Sequence, residues 1–183
     1  HPQNPFDSST NLRYMILETG NREVNSDTTN INITSGFKGN FDFSDDQVFD
    51  WEVALRYSQA DSTVVKTAAV LREEWNNAWA TGGYVFGNTS VNSDELFNSF
   101  VRNDLTRKGK NSTIELESFV TGDLFEIADE GVTFAIGLNA TKNKVSDTPD
   151  QRVIDGLFLN EATEQLVDGS RDSAAVFAEM MIP

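Results

Sequence analysis

The sequence of 183 residues has no cysteine and one histidine, His1. The lack of cysteine excludes a disulfide framework, a thiolate metal site and a cysteine nucleophile. A Ser/His/Asp mechanism needs a histidine inside the fold, and His1 is the first residue, so catalysis of this type is not expected. Glycine-rich phosphate loops and zinc-binding patterns are also absent. We therefore predict a protein that is not an enzyme and binds no cofactor or metal ion.

Positive charge is scarce as well. Lys and Arg number 14 against 29 Asp and Glu, which gives a formal net charge of -15. The basic residues are scattered, and their only local cluster is Arg107, Lys108 and Lys110. Such a chain offers no cationic footprint to nucleic acid or to an anionic membrane surface. Neither is expected as a partner.

Long hydrophobic runs are missing too. None approaches the roughly 18 consecutive apolar residues of a membrane-spanning helix. The first residues, HPQNPFDSST, have neither the basic start nor the apolar centre of a signal peptide. The chain does not begin with Met, and its last residues, AVFAEMMIP, are typical of a strand. We therefore expect a processed chain or a fragment of a longer protein.

What the sequence does contain is alternation, most clearly in the first half of residues 50–65, DWEVALRYSQADSTVV. One face carries Trp51, Val53, Leu55 and Tyr57, and the other carries Asp50, Glu52, Ala54, Arg56 and Ser58. The pattern predicts a strand with one apolar face and one wet face. A soluble core accommodates such a strand. So does an outer-membrane barrel, with lipid on one side and a wet lumen on the other.

Other segments repeat this pattern. Strands are predicted at 12–20, 29–41, 112–125, 132–144 and 174–182, and short helices at 67–81 and 94–105. Ser93 is the expected N-cap of the second helix. Two hairpins are expected, one with its turn within 43–47 and one with its turn at 128–131. The polar connection 146–170 is long for a compact domain, which is typical of a functional loop.

The spacing of the turns indicates the architecture. Short turns join the hairpins at one end and long, partly helical connections join them at the other, as in bacterial outer-membrane barrels. A soluble sandwich would space its turns more evenly. We predict a mainly β fold of antiparallel hairpins in a meander, part of a transmembrane β-barrel, with one or two short helices in long loops. Residues 1–183 are expected to form a single β domain.

The order of several segments resembles the barrel of a TonB-dependent outer-membrane receptor. They are NPF at 4–6, LRYMILETGNREV at 12–24, DWEVALRYSQADST at 50–63, SDELFNSFVRNDLTRKGKN at 93–111, GDLFEIADEGVTFAIGL at 122–138 and SAAVFAEMMIP at 173–183. No single segment is diagnostic. Taken together they extend over nearly the whole chain and are fairly specific.

The resemblance implies part of an active importer of the bacterial outer membrane. Such a receptor takes up a scarce solute, for example a siderophore or a carbohydrate, when the TonB system supplies energy. Transporters of this kind have about 22 strands and a plugged lumen. This chain offers about six or seven strand candidates by pattern and no counterpart of the plug domain. The fragment would not work alone, and the resemblance names neither the solute nor its binding residues.

Two other functions stay open on the residues alone. One is a soluble β-sandwich that binds carbohydrate or another ligand. The other is a structural or adhesive β-protein without a ligand. A reading frame with a plug upstream and more hairpins downstream would favour the receptor, and a start codon just before this chain would exclude it.

Two groups of strand residues are candidate sites. Glu115 and Glu117 lie on one strand face about 7 Å apart. Paired carboxylates can serve acid–base chemistry, although a polar lumen or solvent face is the simpler interpretation. Arg56 and Glu52 also share a face, and they suit either a polar ladder inside a barrel wall or a solvated surface.

Two groups in the connections complete the candidates. Asp147, Asp150 and Asp155 follow no known calcium-loop spacing, so a polar loop is preferred to a calcium site. Trp75 and Trp79 lie four residues apart on the first predicted helix. Packing of that helix onto the sheet is preferred to stacking of the two rings on a ligand.

The apolar face of the predicted sheet leads to one further expectation. Its proposed lipid-facing side chains are Ile31, Ile33, Phe37, Trp51, Leu55, Ile114, Leu116, Phe134 and Ile136. In an isolated fragment this face and the unpaired sheet edges promote association. We expect the fragment either to fold its sheet over on itself, with the helices as a lid, or to pair with a second copy.

Overall fold

The computed structural model describes Tyr14 and residues 16–44, 47–127 and 130–183. Contacts within the chain define two compact units. The connection unit comprises His1–Asp27, Ser62–Lys108 and Asp147–Leu166. The sheet unit comprises Thr28–Asp61, Gly109–Ser146 and Val167–Pro183.

Strands dominate the described residues. They are β1 (Val24–Ser44), β2 (Gln47–Lys66), β3 (Ala69–Val70), β4 (Val101–Arg102), β5 (Leu105–Ile127), β6 (Glu130–Thr148) and β7 (Val167–Met181). The helices are α1 (Arg72–Ala80), α2 (Asp94–Phe100) and α3 (Gln151–Ile154), with 3₁₀ turns at Leu17–Thr19 and Thr89–Val91. The predicted fold class, mainly antiparallel β with a few short helices, is confirmed.

The five long strands form one sheet in the order β1-β2-β5-β6-β7. Both predicted hairpins are therefore present, since β1 neighbours β2 and β5 neighbours β6. Strand β5 joins the sheet beside β2 after the long connection 67–104. The sheet is not closed into a barrel, so β1 and β7 are its two edges.

Successive side chains along each strand of the sheet unit point to opposite faces of the sheet. Contacts between strands show which of the two faces is polar. Arg56 of β2 contacts Glu115 and Glu117 of β5. Asn139 of β6 donates to Glu115. The polar face therefore carries the even-numbered residues of β2 and the odd-numbered residues of β5 and β6.

The opposite face carries a band of apolar side chains, called the apolar band below. Its members on β1, β2 and β5 are Ile31, Ile33, Phe37, Phe41, Phe43, Phe49, Trp51, Val53, Leu55, Ile114, Leu116, Val120 and Leu124. Its members on β6 and β7 are Val132, Phe134, Ile136, Leu138, Ala174, Val176, Ala178 and Met180. Most of the large ones are exposed, with Phe37 at 76% and Ile33 at 59%. Among the described residues the sheet does not cover this band by folding over on itself. Of the two expected alternatives, pairing with a second copy stays a prediction.

The connection unit has a buried core built around a short two-stranded sheet. Strand β3 pairs with β4 in an antiparallel register, with Ala69 opposite Arg102 and Val70 opposite Val101. Because neighbouring strand residues point to opposite sides, Ala69 and Val70 enter two different clusters. The first contains Ala69, Leu71, Leu105, Val153 and Phe158. The second contains Val70, Ala78, Tyr84 and Phe100.

Both predicted helices are shorter in the structure than the sequence pattern indicated. The first helix begins at Arg72 rather than at 67, because Ala69 and Val70 are extended and pair with β4. The second ends at Phe100 rather than at 105, where the chain turns into β4. Its N-cap is confirmed, since Ser93 Oγ accepts a hydrogen bond from Leu96 N at 3.3 Å.

Other segments also depart from prediction. Residues 17–19 form a 3₁₀ turn instead of part of a strand at 12–20, and the main strands extend several residues beyond the alternating segments. Strand β5 begins at Leu105 because β-sheet hydrogen bonding continues through a basic, non-alternating stretch. The NPF segment at 4–6 and parts of both predicted hairpin turns, at 45–46 and 128–129, lie outside the described residues. Among the described helices, none is both long and apolar enough to cross a bilayer.

Candidate functional site on the two faces of the sheet

A network of polar side chains crosses three strands on the polar face. Arg56 Nη1 lies 2.5 Å from Glu117 Oε2 and 3.6 Å from Glu115 Oε2. Asn139 Nδ2 donates to Glu115 Oε1 at 2.7 Å. Thr141 Oγ1 donates to Asn139 Oδ1 at 3.0 Å. The result is a hydrogen-bonded ladder from β2 through β5 to β6.

The ladder shows where the two predicted groups of strand residues lie. Arg56 pairs with β5 rather than with Glu52, because residues directly across a sheet lie about 5 Å apart whereas positions i and i+4 of one strand are separated by about 13 Å. Glu115 and Glu117 do lie together, as predicted. Both carboxylates contact the Arg56 guanidinium.

The apolar band ends in aromatic rings on the side of the short hairpin turns. The ring centroid of Phe49 is 5.6 Å from that of Phe41, 5.1 Å from Phe43 and 5.0 Å from Phe134. Phe49 and Phe134 lie on strands separated by β5, and they meet because β5 has Gly122 between them. Aromatic packing of this kind stabilises a sheet beyond the area buried.

The other end of the band becomes polar. On the same face, Tyr57 Oη donates to Gln59 Oε1 at 2.5 Å, and Gln59 donates in turn to Asp61. Asp61 also lies 3.8 Å from Lys110 Nζ. Lys142 and Asp172 form a further exposed ion pair at 3.4 Å. The apolar band is therefore bounded by rings at one end and by charged and amide side chains at the other.

The three aspartates weighed as calcium ligands bind other side chains. Asp147 pairs with Arg107, whose second partner is Glu164 at 3.0 Å. Asp150 caps α3 and pairs with Arg152 at 2.7 Å, and this guanidinium lowers the pKa of Asp150 to about 2. Gln151 Nε2 donates to Asp155 at 2.8 Å. Within the described ranges no cluster of three metal-binding side chains occurs.

The two tryptophans of α1 take part in aromatic packing inside the connection unit. The ring of Trp75 is 5.0 Å from that of Tyr84 and 5.3 Å from that of Phe100. Trp79 contacts Phe86 at 5.7 Å. Packing of this helix onto the sheet was the preferred prediction, whereas the rings that the two tryptophans contact belong to the loop and to α2.

One polar cluster of the connection unit was not predicted. Tyr84 is fully buried, and its hydroxyl lies 3.2 Å from Tyr14 Oη and 3.1 Å from Glu18 Oε2. Burial, together with these hydrogen bonds, raises the pKa of Tyr84. No pattern links residues 14, 18 and 84, because the cluster depends on how the loop folds back.

Comparisons with protein-family models, curated proteins and solved structures give no match for this chain.

Proposed function

We propose that this chain is a run of five adjacent strands from the wall of an outer-membrane β-barrel, and that the parent protein is a solute-uptake receptor of the TonB-dependent kind. The observation that carries the proposal is the pair of faces of the main sheet. One face has the exposed apolar band and the other has the ladder of Arg56, Glu115 and Asn139. Lipid outside and water inside require this arrangement.

The height of the apolar band supports a bilayer as its surroundings. A transmembrane strand needs about 9 to 11 residues at a tilt of about 45°. The apolar positions extend over residues 49–57 of β2, 114–124 of β5 and 132–140 of β6, a length of about 9 to 11 residues in each strand. A water-soluble protein rarely exposes so large an apolar patch.

The limits of the band support the same interpretation. Aromatic residues form girdles where a barrel leaves the hydrocarbon region. The rings of Phe41, Phe43, Phe49 and Phe134 lie at the end with short turns, and Tyr57 lies towards the other end. In the proposed barrel the short turns would face the periplasm.

The edges of the sheet favour continuation into further strands. Strands β1 and β7 are long, are exposed throughout most of their length and have one neighbour each. An unpaired edge of this length associates readily, and closure into a barrel removes it. A β-sandwich would need a second sheet over the apolar band, and the other described sheet has strands of two residues. No observation therefore favours the soluble binding module.

Support for the uptake function is of a different kind. It comes from the resemblance of the segments at 12–24, 50–63, 93–111, 122–138 and 173–183 to receptor barrels, and from the helices and the short sheet that the long connections contain. The test is the reading frame around the chain. We expect the reading frame to encode a plug domain upstream and further hairpins downstream. A reading frame that encodes this chain alone would overturn the proposal that the parent protein is a receptor.

The membrane location can be tested with the three tryptophans. Trp51 belongs to the apolar band, whereas Trp75 and Trp79 pack in the connection unit. A double variant, Trp75→Phe with Trp79→Phe, leaves Trp51 as the fluorophore. After reconstitution into phospholipid vesicles, we expect lipids brominated on the acyl chain to quench this fluorescence strongly.

The matched control is Trp51→Phe, which keeps the two tryptophans of α1. Its fluorescence should be quenched much less than that of the double variant. Equal quenching of both proteins would contradict the assignment of lipid to the apolar band. Light scattering in buffer and in detergent adds a second readout, since we expect association in buffer that detergent reverses.

A further inference from the structure

We propose that a groove on the polar face, at the β6–β7 edge of the sheet, binds a small hydroxylated solute that carries a carboxylate, such as a hexuronate sugar. The groove has a volume of about 380 Å³, and its lining includes Asn111, Asn143, Val145, Gly169 and Arg171. This volume lies within the usual range for small-molecule sites. The inference deepens the proposed function and rests on it, since the solute bound here would be one that the receptor takes up.

The strand register brings the polar groups of the groove into one row. Gly137 contacts Phe177 and Gly169 faces Val145, and both contacts belong to the same antiparallel register. In that register Arg171 lies opposite Asn143. The contacts of Gly131 with Asp123 and of Asn139 with Glu115 likewise place Asn143 opposite Asn111. A guanidinium and two amides therefore lie side by side across β5, β6 and β7.

The hollow itself arises from missing side chains in the next row. Val145 lies between two glycines there, Gly109 on β5 and Gly169 on β7. A Cβ at Gly169 would meet only Val145 Cγ1, at 3.9 Å, so the space above this main chain is open. A ligand could place an apolar ring face against Val145 and direct its polar groups to the neighbouring row.

Arg171 differs from the other described arginines. Arg22, Arg56, Arg107 and Arg152 form ion pairs, and Arg72 and Arg102 donate to main-chain carbonyls. In the part of the chain that the structure describes, Arg171 has neither an ion pair nor a hydrogen bond. An unpaired guanidinium is unusual in a chain with a net charge of -15.

The chemistry of the row determines the class of ligand. A guanidinium presents two parallel N–H groups that match a carboxylate. Asn143 Oδ1 already accepts from Thr113 Oγ1 at 2.7 Å, which orients its amide, and the Asn143 and Asn111 amides can donate to or accept from hydroxyls. A carboxylate and adjacent hydroxyls on one small ring satisfy all three side chains.

The experiment measures binding of galacturonate to the full 183-residue chain in detergent micelles by isothermal titration calorimetry. We expect saturable binding, and weaker binding of galactose, which lacks the carboxylate, and of acetate, which lacks the hydroxyls. Arg171→Ala should weaken galacturonate binding by roughly tenfold or more, because a charge-assisted hydrogen bond is lost. Gly169→Leu should abolish it by filling the groove.

Lys38→Ala is the matched control. It also removes a positive charge from the polar face, but on β1, and should leave galacturonate binding unchanged. Equal effects of Arg171→Ala and Lys38→Ala, or equal binding of acetate and galacturonate, would overturn the proposal. So would absence of galacturonate binding in a wild-type chain whose circular dichroism shows the β fold. That failure is distinct from failure of the membrane assignment, which is read from lipid quenching of Trp51.

Discussion

The ring of Phe49 lies directly against the main chain of the neighbouring strand at Gly122. A Cβ at that position would overlap the Phe49 ring and would lie 3.1 Å from Val48 O. Phe49 is consequently 7% exposed, although most of the surrounding apolar band is open. The missing side chain of Gly122 is what allows rings from β1, β2 and β6 to meet across β5.

Gly122→Val is therefore expected to destabilise the sheet. The new side chain must displace Phe49 or separate the strands, at a cost of about 1 to 3 kcal/mol. The measurement is the midpoint of urea unfolding in detergent, followed by circular dichroism. Gly169→Ala is the control, since its Cβ makes an ordinary contact, and a similar loss in both variants would show that any strand glycine behaves this way.

Arg56→Ala should destabilise the polar ladder through repulsion. Without the guanidinium, Glu115 and Glu117 lie on one face of β5 as like charges that share no cation. We expect a lower unfolding midpoint in Arg56→Ala, and recovery when Glu117→Gln is added. A double-mutant cycle in unfolding midpoints at low and high salt checks this, and an additive result would mean that Arg56 and Glu117 are not coupled.

Tyr84→Phe isolates the buried hydroxyl of the connection unit. The ring packing stays and the hydrogen bonds to Tyr14 and Glu18 are lost, so we expect destabilisation of about 1 kcal/mol. The raised pKa of Tyr84 also predicts pH dependence. Its contribution to stability is present below the unfolded pKa of about 10 and is lost as pH rises above it. The variant should lack this alkaline loss, as measured by urea unfolding at several pH values.

Asp150→Asn tests the opposite end of the pH scale. The folded pKa of about 2 lies below the unfolded value, because the Arg152 guanidinium binds the carboxylate. The stabilisation is present above about pH 4 and is lost as pH falls towards 2. The Asp150–Arg152 ion pair should stabilise the protein by about 1 kcal/mol. This is less than the whole shift in the pKa of Asp150 would imply, because solvent screens the pair. Asn keeps the cap acceptor of α3, so a wild-type acid profile in this variant would exclude the ion pair as its cause.

The alternation of residues 29–41, 50–58, 112–125 and 132–144, with the turn signals between them, was sufficient to predict both hairpins and their four strands. It was not sufficient for strand ends, because β5 starts in the basic stretch after Leu105, where a neighbouring strand supplies the hydrogen bonds. The helix at 67–81 was shortened for a similar reason, since Val70 is extended by pairing with Val101. Local propensity cannot report a partner that is distant in sequence.

The residues of the candidate site were also predicted only in part. Arg56, Glu115 and Glu117 were identified as polar-face residues from alternation, but the pairing of Arg56 across the sheet needed the register between β2 and β5. The Phe49–Gly122 contact and the row of Asn111, Asn143 and Arg171 were not predicted, because each depends on which strands are neighbours.

By itself, the sequence determined that this protein is a set of long strands with one apolar and one polar face, joined by short turns at one end and long connections at the other. Side-chain period and composition are local properties, so they can be read along the chain. The tertiary structure decided the strand order, the register, the open edges at β1 and β7 and the buried core of the connections. These features depend on contacts between residues that are far apart in sequence. Such contacts form, and stabilise the protein, only when the chain folds.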